Sequence, residues 1–219
     1  KNYIYPDPYG ICLVIGAWNY PLQLTLAPII GAMAAGNTCI IKPPRAALNT
    51  YHIIQKIIAE TFNEEYIAVL GEHSDNTEML TYRYDYIFFT GGVEIGKTIA
   101  RAAAEFLTPT TLELGGKSPC VVDKNADIEV AARRVAWGKF LNGGQTCVAP
   151  DYILVDKKAK QKFVELFIKT TKEFFGENPQ QSPDLGRIIN EKHFIRLSQL
   201  LEKGNILMGG QTDMKDLFI

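Results

Sequence analysis

Short apolar runs alternate with amphipathic stretches along the first half of this chain. Ile11-Cys12-Leu13-Val14-Ile15, bounded by Gly10 and Gly16, predicts a buried strand. The richest apolar stretch, residues 22–35, is broken by Gln23, Thr25, Pro28 and Gly31. It therefore predicts a buried helix over 23–35, stopped at Gly36-Asn37. Thr38-Cys39-Ile40-Ile41 predicts a second strand, ended by Lys42-Pro43-Pro44. Residues 47–60 repeat at helical spacing, with Tyr51, Ile54, Ile57 and Ile58 on one apolar face. Strands over 66–70, 86–89 and 110–114 then alternate with helices over 76–81 and 93–106. Uniformly apolar strands separated by helices imply a parallel sheet covered on both faces. Nucleotides commonly bind to that architecture, although a fold alone assigns no function.

After Gly116 the pattern restarts, with strands over 119–122 and 152–155 and helices over 128–141 and 159–175. A loop over 182–186, a helix over 191–202 and the start of a strand over 205–208 complete it. The expected fold class is α/β. A Rossmann-like, parallel-sheet dinucleotide-binding domain over 1–112 is followed by part of a second α/β catalytic domain over 113–219. The junction falls within 112–116. No internal repeat or low-complexity segment interrupts this order.

Composition narrows the function classes. The 219 residues are 47% hydrophobic and 21% charged, an ordinary globular balance. A net charge of −1 and a pI near 6.4 offer no electrostatic reason for a nucleic-acid or anionic-membrane partner. No apolar run approaches the roughly 18–20 residues of a spanning helix. The four cysteines (positions 12, 39, 120 and 147) form no CxxC, and His52, His73 and His193 are scattered, so no zinc site is expected. Free thiols suit a reducing compartment, most simply the cytosol. The chain opens on Lys1 rather than Met and stops at Ile219 in an apolar run, so a fragment of a longer protein is expected.

Candidate chemistry gathers in four places. Cys12, Cys39 and Cys120 sit among apolar strand residues and read as core thiols, whereas Cys147 is framed by Gly143, Gly144, Gln145 and Thr146. Upstream, Glu113 stands in an apolar strand context before Gly115-Gly116, where a carboxylate is costly unless it has a partner or a role. A thiol nucleophile, a carboxylate base and glycines that let a substrate approach the backbone fit together chemically. Cys147 and Glu113 also read as a structural thiol and a paired acid. Asn19, in the Trp18-Asn19-Tyr20-Pro21 turn after the first strand, offers an amide donor or plain turn chemistry. Lys42, after the second strand, is either a ribose or phosphate ligand or a solvated lysine. Lastly, Gly91-Gly92-Val93-Glu94-Ile95-Gly96-Lys97-Thr98 satisfies the phosphate-loop pattern GxxxxGK[ST]. Its position after a fourth strand and its Val-Glu-Ile crest argue against a nucleotide hydrolase. Its glycines still free a helix N-terminus for a dinucleotide pyrophosphate, or simply make a tight turn.

Taken in order, the Trp18-Asn19-Tyr20-Pro21 element, Lys42-Pro43, Phe89-Thr90-Gly91…Gly96, Glu113-Leu114-Gly115-Gly116-Lys117 and Gly144-Gln145-Thr146-Cys147 resemble the motifs of the aldehyde dehydrogenase superfamily. The interval from Glu113 to Cys147 also fits. The wording around Cys120 and Cys147 is most similar to the class 3 branch, which acts on medium-chain, long-chain and aromatic aldehydes. The resemblance implies Cys147 as nucleophile, Glu113 as water-activating base and Asn19 with the Cys147 N–H as oxyanion donors. It implies NAD or NADP as cofactor, held by Trp18, Lys42 and the loop Gly91, Gly92, Val93, Glu94, Ile95 and Gly96. It implies a small-molecule aldehyde substrate and a homodimer in the full-length protein. Two positions depart from the pattern. Arg45 replaces the acidic residue that usually meets the adenosine ribose, so a 2′-phosphate is tolerated or preferred. Gly92 stands where a serine is common. The alternatives are a fragment that keeps the fold without turnover and, more remotely, the phosphate-loop hydrolase.

Overall fold

A computed structural model describes residues 2–219 as two compact units, one ending at Gly115 and the next beginning at Gly116. In the first unit, strands β1 (Ile11–Ile15), β2 (Thr38–Lys42), β3 (Ile67–Val69), β4 (Tyr86–Thr90) and β5 (Thr110–Glu113) form one parallel sheet. Its order is β3-β2-β1-β4-β5. Helices α1 (Pro21–Ala34), α2 (Leu48–Thr61), α3 (Asn76–Met79) and α4 (Val93–Glu105) connect the strands. Alternate residues of the central strands feed separate cores. Cys12 and Val14 pack with Ile29 of α1 and with Ile54 and Ile58 of α2. Leu13 packs on the other face with Ile87, Phe89, Met79 of α3 and Ile99 of α4. This is the Rossmann-like α/β fold that the sequence predicts.

Local chemistry fixes the connections. Helix α1 opens on Pro21, whose missing N–H is no loss in a first turn, and it stops where Gly36 takes φ +84°. The next residue, Asn37, is 3% exposed. Its Oδ1 accepts from the Gly10 N–H at 3.0 Å, and its Nδ2 donates to the Ala32 carbonyl at 2.9 Å. One buried amide thus ties the end of α1 to the entry of β1, with its polar groups satisfied.

Several expectations change. Leu22 and Ile30 are exposed, so α1 is covered on one face instead of buried throughout; Thr25 and Ile29 carry that face. In α2 the buried stripe is Tyr51, Ile54 and Ile58, while Ile57 lies 43% exposed, rotated off the sheet by the helical repeat. Cys12 and Cys39 are core thiols, and burial with the neighbouring Cys12 pushes Cys39 up to about 11. Cys120 is only half-buried at the edge of the second core.

In the second unit β6 (Ser118–Val122) pairs in parallel with β7 (Pro150–Val155). Helices α5 (Ile128–Phe140) and α6 (Lys160–Phe175) pack on that pair through Val122, Ala132, Val135 and Phe163. Asp127 caps α5 by accepting from the Glu129 and Val130 N–H groups. Asn190 caps α7 (Glu191–Ser198) by accepting from the His193 N–H. The helix expected over 191–202 ends at Ser198, and a 3-10 turn follows at Leu201–Lys203. The strand expected over 205–208 does not form. Ile206 and Leu207 are exposed, and no described strand lies alongside to take up their backbone groups. Among the described residues no helix is long and apolar enough to cross a membrane.

Candidate active site

The sheet order reverses between β1 and β4, and ligands of open α/β sheets settle at the carboxyl ends of such a pair. A cavity of about 1180 Å³ opens there in the first unit. Trp18, Lys42, Arg45, Gly91, Gly92, Glu94 and Ile95, all expected to hold a dinucleotide, line it. Val93 and Gly96 lie off its wall. Val93 is 46% exposed on the first turn of α4. At Gly96 an added Cβ would stand 2.8 Å from Leu114 Cδ2, so this glycine serves the packing of α4 against the end of the sheet. The sequence reading missed the rest of the α4 wall, Thr98, Ile99, Arg101, Ala102, Glu105 and Phe106. The signal was present, because these positions continue the helical spacing that starts at Glu94 and Ile95.

The cavity wall carries unsatisfied chemistry. Lys42 is 5% exposed, and its Nζ has no hydrogen-bond partner among the described residues. Burial, reinforced by the Arg45 guanidinium, lowers its pKa. It is not the solvated lysine that the sequence also allowed. Thr90 Oγ1, on the same wall, is likewise buried and unpartnered. At Gly91 an added Cβ would meet the Phe89 ring at 2.4 Å, whereas Gly92 has open space around it. No side chain caps α4, so its first-turn N–H groups keep their capacity for an anion. A buried cation, a free hydroxyl acceptor and an open helix N-terminus fit a dinucleotide's phosphates and ribose hydroxyls.

The same geometry removes the phosphate-loop reading. Val93 to Glu105 is helical, and Gly96 N–H already donates to the Gly92 carbonyl at 2.9 Å, so the pattern has no loop to wrap a triphosphate. Lys97 is ion-paired with Glu94 at 2.8 Å, and the Thr98 hydroxyl donates to the Glu94 carbonyl.

Glu113 closes β5 at the edge of the sheet. Its carboxylate is exposed, so the desolvation cost that its apolar neighbours imply does not arise. Its backbone carbonyl accepts from the Gly91 N–H at 2.9 Å, joining this residue to the glycine turn. Asn19 sits half-buried in the turn before α1, off the cavity wall.

In the second unit Cys147 is exposed. The chain reaches it through three consecutive left-handed residues, Asn142 (φ 53°), Gly143 (φ 60°) and Gly144 (φ 77°). The Ala149 N–H donates to the Thr146 carbonyl at 3.1 Å, closing a turn around Cys147. The half-buried Lys139 lies beside Gly144, its pKa lowered by burial and by Lys117 against the opposing pull of Asp151. A Cβ on Gly116 would stand 2.1 Å from the Cys147 carbonyl oxygen, while Gly115 has nothing within 4 Å. The close approach that Gly116 serves is therefore that of the cysteine backbone, while Gly115 keeps open space beside it.

The first unit thus carries a strand-order switch with an anion-ready cavity, and the second an exposed cysteine in a glycine turn. The profile described as "Aldehyde dehydrogenase family" matches residues 1–217, and the chain belongs to that family. It is 49% identical to aldehyde dehydrogenase family 3 member A2 of Pongo abelii, over 100% of this chain and 45% of that protein. It is 48% identical to the dimeric NADP-preferring aldehyde dehydrogenase of Rattus norvegicus, over 99% of this chain and 48% of that protein. A solved structure described as the substrate-bound state of Staphylococcus aureus AldH superposes with a TM-score of 0.91 at 48% identity, over 97% of this chain and 47% of that one. The chain spans about half the length of the curated relatives it matches.

The two glycines before Lys117 give opposite expectations. Gly116→Ala drives a methyl group into the Cys147 carbonyl and should lower thermal stability or displace the turn, seen as a changed rate of Cys147 alkylation. Gly115→Ala should leave both measurements at the wild-type value; equal effects from the two substitutions would contradict the close approach.

Proposed function

We propose that the protein oxidises an aldehyde to a carboxylate with NAD or NADP, through a covalent bond to Cys147. The observation that carries this reading is the exposed Cys147 in its turn against Gly116, within a chain of the aldehyde dehydrogenase family. The Cys147 thiolate attacks the aldehyde carbon, a C–S bond forms and the carbonyl electron pair moves to oxygen. The Asn19 amide and the Cys147 N–H hold that oxyanion, each such donor contributing roughly 2.7–4 kcal/mol. When bound, the nicotinamide supplies the acceptor for the hydride leaving that carbon, and the adduct becomes a thioester. Glu113 then takes a proton from water, hydroxide adds to the thioester carbon, and the C–S bond breaks to release carboxylate and the Cys147 thiolate.

Trp18, Lys42 and the Gly91–Gly92 turn hold the cofactor, in keeping with their place on the cavity wall. Medium-chain, long-chain or aromatic aldehydes are the proposed substrates, on the strength of the likeness to family 3. A homodimer follows the printed description of the Rattus norvegicus relative. Free thiols favour the cytosol. Because the chain spans about half of those relatives, a second reading stands beside this one: a piece that keeps the fold without turnover.

Turnover separates the two readings. With cofactor and a fatty or aromatic aldehyde, nicotinamide absorbance should rise, and Cys147→Ala should abolish the rise while leaving the cofactor dissociation constant unchanged. Turnover in Cys147→Ala would remove the nucleophile from the scheme. Glu113→Gln should slow the steady state by about 10²–10⁴ with the first-turnover burst retained; an unchanged steady-state rate would dismiss the base.

Arg45 sets the second expectation. It lines the cavity just past β2, where a carboxylate favours a free ribose hydroxyl and a guanidinium accommodates a 2′-phosphate. No described carboxylate forms a salt bridge with it. Arg45→Glu should weaken NADP binding by on the order of tenfold to a hundredfold, measured calorimetrically, with NAD affected far less. Strong NAD preference in the wild-type protein would refute this assignment.

A further inference from the structure

We propose that Gln145 is a positioning residue whose carboxamide clamps the Cys147 turn onto backbone segment 187–189. A primary amide offers two N–H donors and a carbonyl acceptor, and here both kinds of group are engaged. Nε2 donates to the Asn142 carbonyl at 3.0 Å and to the Arg187 carbonyl at 3.0 Å, while Oε1 accepts from the Ile189 N–H at 2.9 Å. The side chain thereby folds back on its own left-handed turn and also bridges to a segment more than forty residues away in sequence. A carboxylate at this position has no donor for the two carbonyls, and an ammonium has no acceptor for the Ile189 N–H. Glutamine alone among side chains of this length satisfies all three.

The clamp matters because of what precedes it. Asn142, Gly143 and Gly144 form a stretch of backbone with a large conformational entropy to lose, and two of the three residues bring no side chain to restrain it. Cys147 itself is exposed and so gains little from packing.

Segment 187–189 is in turn well anchored. Arg187 Nε donates to Asp216 Oδ2 at 2.9 Å, its Nη1 donates to the Leu185 carbonyl and its Nη2 to the Gln180 carbonyl. Its guanidinium lies 5.4 Å from the centre of the Phe218 ring. The Ile188 N–H donates to the Leu217 carbonyl at 3.0 Å. Gln180 Nε2 donates to both Asp213 and Asp216, closing the network. The thiol's place is thus relayed from the 213–218 segment through Arg187 to Gln145.

The inference rests on Cys147 being the nucleophile, and its test keeps the two apart. Hydrogen exchange on the full chain reads the clamp without any turnover. Gln145→Ala should accelerate amide exchange over 142–149 and, with aldehyde present, lower kcat by about tenfold to a hundredfold, the scale of a small misplacement of a reacting group. The cofactor dissociation constant should not move, since the cavity lies in the first unit. Gln145→Glu should behave like Gln145→Ala, because it removes both donors. If Gln145→Ala fails to fold, Arg187→Met leaves Gln145 in place and should show the same accelerated exchange over 142–149. Unchanged exchange and kcat in these variants would overturn the clamp, as would a loss of kcat matched by an equal loss of cofactor binding. Turnover surviving in Cys147→Ala would overturn the nucleophile instead and leave the exchange result standing.

Discussion

The parallel pairing of β1 with β4 is the constraint on which the first unit depends. β1 hands its chain through α1 to β2 on one side, while β4 hands its chain through α4 to β5 on the other. The two connections must diverge, and the gap they leave at the carboxyl edge is the cavity. Both strands are short and apolar, so their position is set by cores on both faces of the sheet and leaves the loops free to carry polar chemistry. One backbone bond, from the Gly91 N–H to the Glu113 carbonyl, then fixes the glycine turn to the end of β5. It couples the position of the candidate base to the wall of the cavity through main chain alone.

The second unit uses backbone contacts in the same manner. Cys147 gains almost nothing from burial of its own side chain, so its place comes from its neighbours' peptide groups. The Cys147 carbonyl rests where Gly116 leaves room, and the turn is closed by main-chain bonds and by the Gln145 amide. Exposed surface ion pairs such as Lys117 with Asp151 lie nearby, but pairs of this kind contribute roughly 0–1 kcal/mol and do not organise the turn.

How legible all this was in the sequence follows from which contacts are local. Strands β1, β2 and β4 were legible because a strand covered on both faces is apolar at every position. The stop of α1 before Gly36 and the start of α4 after Gly92 were legible because glycine marks them. Burial was harder to read. The 205–208 run has the composition of a strand but no described strand to pair with, and Ile57 has the right residue type on the wrong side of its helix. Glu113 reads as buried from its apolar neighbours, yet it ends an edge strand in solvent. Trp18, Lys42, Arg45, Gly91 and Gly92 could be named because each lies at or just past the end of a strand, whereas most of the α4 wall needed knowledge of which helix face turns inward. The contacts of Gly116 with Cys147 and of Gln145 with Arg187 span long stretches of sequence, and no local pattern announces them.

Lys42 shows how the cavity's energetics bind these parts together. An ammonium group that is 5% exposed and without a hydrogen-bond partner among the described residues carries a desolvation cost, and the nearby Arg45 adds repulsion. That cost favours an acceptor that reaches Lys42 Nζ from the cavity. An anionic, hydroxyl-rich ligand supplies the missing acceptors for Lys42 Nζ and leaves both cations favourably placed. Such a ligand binds the folded chain and not the unfolded one, so occupancy at a hundred times the dissociation constant adds about 2.7 kcal/mol to stability. The group that is costly to bury is therefore the one suited to an anionic ligand, and the sheet's two cores hold it in place.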